Sequence, residues 1–372
     1  DVRPRGRREA VKHDGARGFG GVGTDISPRM SQTIELGLDT FGDVTDGPDG
    51  KPLHATQVIR NLVEEAVLAD AVGVDFIGVG EHHRADFAVS SPEMVLAAIA
   101  ARTTRIRLGS AVTVLSSDDP IRVFQRFSTL DAISGGRAEV ILGRGSFIES
   151  FPLFGFDLNR YDELFDEKLD LYAAVLTQRP VTWHGTTRPP LSDQSVYPKT
   201  ESGRLTTWIG VGGTPQSAMR AAQYGMPMML AIIGGDPRRF APFADLYRRA
   251  LRDMGKPELP VGVHSHGFVG ETDDAAREDL FADYKRMRDK IGAERGWPPM
   301  TRADFEREIE IGSLYVGSPE TVARKIAATV KALGVARFDM KYSAGPLPHE
   351  KMMRCIDLYG RKVMPLVREM AG

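Results

Sequence analysis

The stretch FIGVGEHHRADF, residues 76–87, ends an apolar run on a carboxylate, two imidazoles and a guanidinium: Glu81, His82, His83 and Arg84. Side chains of these types can move protons, hold an anion or ligate a metal. Consecutive residues of an extended chain point to opposite faces, so His82 and His83 do not share one metal ion. The plain alternative is that one histidine caps the loop while the other is solvated. A second pair, His264 and His266, alternates along another apolar run and therefore shares a face. That spacing suits a barrel metallohydrolase in which His82 or His83 is a further ligand, but such a site also needs carboxylates at other strand ends. The sequence offers no convincing set of them. A packed or solvated histidine pair is the better account, and no metal is expected.

Two further segments suit a phosphate. In GVGGTPQSAMRAA a strand runs into Gly212 and Gly213, Thr214 takes the N-cap position of a helix and Pro215 its first turn. Free N–H groups, the positive helix end and the hydroxyls of Thr214 and Ser217 would hold an anion. The alternative is an ordinary capped helix behind a tight glycine turn. Arg144 stands between Gly143 and Gly145, where a ligand can approach the backbone, and could meet a phosphate or stay in a surface salt bridge. An arginine and a helix N-terminus on one rim describe a phosphorylated ligand, not its chemistry. By contrast, GFGGVG at residues 18–23 matches G-x-G-x-x-G in form only, because no strand precedes it and no helix follows.

These residues need elements that bring them together. From residue 33 onward, short apolar runs alternate with amphipathic helical ones. Strands are expected at 33–41, 74–80, 105–114, 137–145, 206–213, 227–233, 260–270 and 336–344. Helices are expected at 55–73, 91–104, 118–136, 160–178, 214–225, 237–254, 272–292, 319–333 and 349–370. Ser91-Pro92 and Asp119-Pro120 mark helix starts, and Gly73 and Gly135-Gly136 mark ends. Eight strands, nearly all followed by a helix, spell a TIM-type (β/α)8 barrel with insertions at 181–206 and 293–318. In such barrels functional groups gather at the C-terminal strand ends, where Glu81, His82, His83, Arg144 and Thr214 fall.

The totals narrow the class. The chain has 372 residues, 42% hydrophobic and 26% charged, with a net charge of -2 and one cysteine, Cys355. One cysteine makes neither an internal disulfide nor a thiolate cluster. A nearly neutral balance gives no reason to expect nucleic acid or an anionic membrane, and no apolar run reaches the length of a span. A cytoplasmic protein acting on a small molecule is expected. Residues 1–29, rich in Arg and Gly and poor in large apolar groups, read as a disordered leader, and one folded domain is expected over 30–372.

The segments GVDFIGVGEHH, RLGSAVTVLSSDDPIRVFQ, LDAISGGRAEVILGRG, FPLFGFDLNR and AAQYGMPMMLA resemble the bacterial luciferase-like family of flavin-dependent monooxygenases. The likeness is clear from about residue 33 to 235 and weaker beyond. It implies a TIM-type barrel in which His82 lies beside the flavin ring as the catalytic residue, with Glu81 of the same strand end among the cofactor-binding residues. It implies that Arg144, Gly213, Thr214 and Ser217 hold the FMN phosphate, and that a non-proline cis peptide, Ala111–Val112, lies against the isoalloxazine ring. The activity implied is oxidation of a small organic substrate by reduced FMN and O2 through a C4a-peroxyflavin, with a separate reductase supplying the flavin. A homodimer paired through the helices after the second and third strands is implied too. The apolar stripe of MVLAAIAARTT would serve that pairing or simply face the barrel. Within the same fold, hydride transfer with the deazaflavin F420 is the alternative, and a flavin-binding protein without turnover is another. The cysteine that precedes the arginine in luciferase itself is Gly143 here, so light emission from a long-chain aldehyde is not implied. The two insertions, which would shape the substrate pocket, leave the substrate unnamed.

Overall fold

The computed structural model describes residues 33–372. The leader at 1–29, a domain start at Met30 and the GFGGVG match lie outside the described residues. Eight parallel strands close into one ring: β1 Glu35–Thr40, β2 Phe76–Val79, β3 Arg107–Ser110, β4 Ala138–Gly143, β5 Thr206–Val211, β6 Met228–Ala231, β7 Val261–Val269 and β8 Arg337–Lys341. Each strand pairs with its neighbours in that order, and the ring closes where Gly37 of β1 stands opposite Asp339 of β8. Parallel neighbours need long crossovers. Helices supply them on the outside, from Ala55–Ala71 after β1 to Pro319–Leu333 before β8. The start signals operate as read: Asp119 accepts from the Ile121 N–H at 2.9 Å, and Gly135 ends the same helix in the left-handed region at φ 68°.

Alternation along the strands divides two cores. Leu36 and Leu38 of β1, Ile77 and Val79 of β2, and Phe338 and Met340 of β8 join the core shared with the helices. The barrel interior holds a separate small cluster of Phe76, Ile141, Trp208 and Met229, with Val112 packed against it. At the N-terminal end of the barrel, fully buried Arg337 donates to Glu139 at 2.7 Å and to Asp339 at 2.9 Å. Its guanidinium also lies 3.5 Å from the centre of the Phe76 ring. Arg107 reaches Glu139 at 2.5 Å and also pairs with Glu35.

The stripe of helix Pro92–Ala100 faces the barrel through Val95, Leu96 and Ile99, and leaves Met94 exposed. The insertion at 181–206 holds an antiparallel hairpin, Val181–Trp183 with Leu191–Gln194. The one at 293–318 holds a helix, Arg302–Glu310, and a strand, Tyr315–Gly317, paired to the end of β7. The single helix expected at 349–370 is two, His349–Leu358 and Met364–Ala371, joined by a wider turn where Gly360 lies against Val72. Among the described residues, no helix is long and apolar enough to cross a membrane.

Candidate active site

The chain leaves β2 through Gly80 and turns at the rim, where the His82 N–H donates to the Val89 carbonyl at 3.0 Å. Glu81 is buried. One of its oxygens accepts from the Val114 N–H at 2.9 Å and the other meets His83 Nε2 at 2.8 Å. Glu81 therefore bolts the end of β2 to the continuation of β3 and fixes the His83 ring. His82 turns elsewhere, into an enclosure of Phe41, Phe87 and Phe147, with ring centres 4.9, 4.3 and 5.1 Å away. Burial there pushes its imidazole down to about 3, so it is neutral near pH 7.

The Ala111–Val112 peptide is cis. Facing it, Gly143 has no room for a side chain: a Cβ there would come within 2.5 Å of a Val112 methyl. A cysteine at 143 would have to displace Val112. Around this point Gly78, Gly80 and Gly210 let Ala111, the Phe41 ring and Val112 pack directly on the strand backbones.

Arg144 follows β4 and Gly213 follows β5, two strands paired at Leu142 and Ile209. These candidate anion-binding groups therefore stand at neighbouring strand ends. The Arg144 guanidinium pairs with exposed Asp162 and lies 5.2 Å from the centre of the Tyr161 ring, whose hydroxyl donates to the Gly145 carbonyl at 2.7 Å. Gly213 takes φ 96°, a conformation that favours glycine. Thr214 caps helix Pro215–Tyr224, accepting from the Ser217 N–H at 3.4 Å, and the two hydroxyls lie 2.8 Å apart.

The floor of the mouth adds Asp39, Asp43 and Lys341, which the sequence reading did not single out. Asp39 of β1 meets His264 Nδ1 at 2.6 Å, and the His264 ring stacks on Phe41 at 5.9 Å. Lys341 of β8 donates to Asp43 at 2.9 Å and to the Ser343 carbonyl at 2.6 Å. Burial would push the Asp43 carboxyl up, but Lys341 and hydrogen bonds from Ser343 and Gly345 hold it below the usual range. A sequence signal did exist. In RFDMK, residues 337–341, every second residue of a buried strand is charged, which marks an inner face lined with ions. His266 shares a face with His264 as expected, the rings 6.1 Å apart. Burial pushes its imidazole well below the usual histidine value. Among the described residues no three His, Cys, Asp or Glu side chains are grouped to hold a metal. His264 Nδ1 is engaged by Asp39 instead.

Two features frame the mouth. Arg84 reaches Asp86 at 3.1 Å, Glu149 at 2.5 Å and Glu294 at 2.5 Å, and lies over Phe147. It thereby ties the loops after β2 and β4 to the end of the long helix Asp273–Arg295. On the far side of Glu81 and His83, a cavity of about 450 Å³ opens toward the hairpin insertion and is lined by Glu93, Arg126, Lys168 and Arg188.

A closed (β/α)8 barrel with a histidine-bearing, glycine-lined mouth defines an enzyme scaffold of the TIM type. Residues 40–337 match the family model for luciferase-like monooxygenases, and the chain belongs to that family. It is 29% identical over 322 residues to 4-hydroxyprotoasukamycin monooxygenase of Streptomyces nodosus subsp. asukaensis, covering 82% of this chain and 85% of that one. Its fold is shared by the oxygenating constituent of 3,6-diketocamphane monooxygenase from a plasmid of Pseudomonas putida, solved in complex with FMN. The TM-score is 0.73 at 19% identity, with 90% of this chain and 98% of that one covered. An F420-dependent secondary alcohol dehydrogenase, solved with an F420–acetone adduct, is similar at TM-score 0.71 and 16% identity, with 90% and 99% covered. The family is thus one of oxidoreductases, and its barrel fold is shared with one protein solved with FMN and another solved with an F420 adduct.

Proposed function

We propose that the protein is a monooxygenase that binds reduced FMN at the barrel mouth and uses O2 to oxidise a small organic substrate. The observation that carries this reading is the placing of two candidate anion-binding groups at adjacent strand ends: Arg144 follows β4, and the glycine turn and capped helix start of Gly213 and Thr214 follow β5, its paired neighbour. His82 and the Ala111–Val112 peptide follow β2 and β3 at the same end of the barrel. Such a set fits a flavin held by its phosphate with its ring at the mouth.

In this reading Arg144 and the N–H groups and hydroxyls of Gly213, Thr214 and Ser217 hold the phosphate, Ala111 and Val112 line the ring, and Glu81 keeps the rim in register. When bound, reduced flavin supplies the electrons for oxygen activation. The chain binds, orients and excludes water. His82, uncharged in its aromatic enclosure, offers a hydrogen bond without bringing a full charge to the ring. A separate reductase supplies the reduced flavin, and the location is cytoplasmic. A homodimer through helices Pro92–Ala100 and Pro120–Ser134 belongs to the same proposal, since Met94 and Ile133 are the large apolar side chains those helices leave exposed.

Anaerobic titration with reduced FMN, followed by ¹⁸O2 and a substrate panel, tests the reading. Tight binding is expected, weakened roughly 10- to 100-fold in Arg144→Ala because a charged hydrogen bond contributes about 1.5–3 kcal/mol. The product should carry ¹⁸O. Binding of F420 but not FMN, with turnover in the absence of O2, would replace this reading with hydride transfer.

A further inference from the structure

We propose that Asp39 and His264 form a proton-exchanging pair in the floor of the mouth, in which His264 Nε2 takes a proton from a hydroxyl of the bound substrate while Asp39 positions the imidazole and balances its charge. This rests on reading the mouth as the active site.

Both side chains point inward, from the two strands that flank β8. The bond of 2.6 Å between Asp39 Oδ2 and Nδ1 puts the ring proton of a neutral imidazole on Nδ1 and leaves the lone pair on Nε2. Among the described residues Nε2 has no hydrogen-bond partner. The stack on Phe41, with planes only 15° apart, fixes how the ring faces. The same Phe41 meets His82 in a T-shaped pair, so both imidazoles border one enclosure.

Charge matching singles out this pair. The groups facing His264 are Asp39 on β1, Asp339 and Lys341 on β8, His266 on its own strand, Asp43 after β1, and His82 across Phe41. Lys341 is held by Asp43 and Ser343, and Asp339 is held by Arg337. Asp39 has no permanent cation among the described residues, and its Oδ1 is buried without a partner. A buried carboxylate in that position favours arrival of a positive charge beside it. An imidazolium on His264 supplies that charge. His82 has no carboxylate bonded to its ring and lies among aromatic rings, so the two histidines divide the work.

In the step itself the substrate O–H bond breaks, its electron pair stays on oxygen, and an N–H bond forms at Nε2. Asp39 remains ionised throughout, and the proton later leaves to solvent. The substrates this implies are phenols and enols, whose anions are the electron-rich forms that attack an electrophilic oxygen.

Two arms test the pair. In flavin-free protein labelled with ¹⁵N in histidine, His264, assigned through His264→Gln, should show the Nδ1–H tautomer with a low-field Nδ1 proton that vanishes in Asp39→Asn. An Nε2–H tautomer, or spectra unchanged in Asp39→Asn, would overturn the proposal. In FMN-loaded enzyme, His264→Gln and Asp39→Asn should lower kcat by roughly 10²- to 10⁴-fold while FMN affinity stays near wild type. The rise of kcat/KM with pH should be lost in His264→Gln, and Asp39→Glu should restore part of kcat. Unchanged kcat and pH profile in His264→Gln would also overturn it. If wild type binds no flavin, the proposed function fails, and the tautomer arm still decides the pair.

Discussion

The lower and upper halves of the barrel interior are built from the same eight strands and differ in how their charges are matched. Below, Arg337, Arg107, Glu139, Glu35 and Asp339 interlock under Phe76 and Trp208, each ion facing an opposite one. Above, buried Asp39 meets only an imidazole, His264, and no permanent cation among the described residues, while Lys341 pairs with Asp43 beside it. Closed networks hold a shape, and open valences leave something for a ligand to complete. The barrel therefore separates stability from chemistry along its axis.

That division can be broken at the bottom first. Arg337→Met strands buried Asp339 and leaves Glu139 to Arg107 alone, and should lower stability by about 3–5 kcal/mol, the usual cost of removing one partner of a buried pair. Urea unfolding checks it, and an unchanged midpoint would mean that the lower network does not hold the fold. At the mouth the opposite pattern is expected. His82→Ala should cut turnover by roughly 10²- to 10⁴-fold, with FMN affinity retained and a smaller change in urea midpoint than Arg337→Met. Equal loss of binding and turnover would remove His82 from the chemistry.

Acid sharpens the contrast. His82 and His266 stay neutral in the folded chain because burial lowers both, His82 to about 3. Once unfolded they take protons near the ordinary value of 6.5. Between that value and the folded one the unfolded chain binds more protons, so stability falls as pH drops below 6.5. His266→Gln should reduce the fall between pH 7 and pH 5, read as the difference in urea midpoints. Smallest of all, Arg160→Ala removes a solvent-facing pair with Glu163 and should leave both the midpoint and FMN affinity unchanged.

The outline of the barrel was legible because each strand and helix announces itself locally, through apolar period and through caps such as Asp119 and Gly135. The rim was legible for the same reason: Glu81, His82 and Arg144 end strands, and a strand end is visible in the sequence. The floor was not. Asp39 meets His264 across 225 positions, and Lys341 meets Asp43 across 298, pairings that closure of the ring creates and no local pattern encodes. The roles of His264 and His266 diverge for the same reason, since equal spacing said only that they share a face. The hairpin at 181–194 and the helix at 302–310 were missed because both lie in insertions, outside the alternation that made the rest readable.

Arg84 has one more consequence. Its guanidinium is largely shielded while Glu149 and Glu294 are only partly so, and ions in the surrounding water screen such a pair far less than an open one. The loops after β2 and β4 should therefore stay fastened to helix Asp273–Arg295 across ordinary salt concentrations.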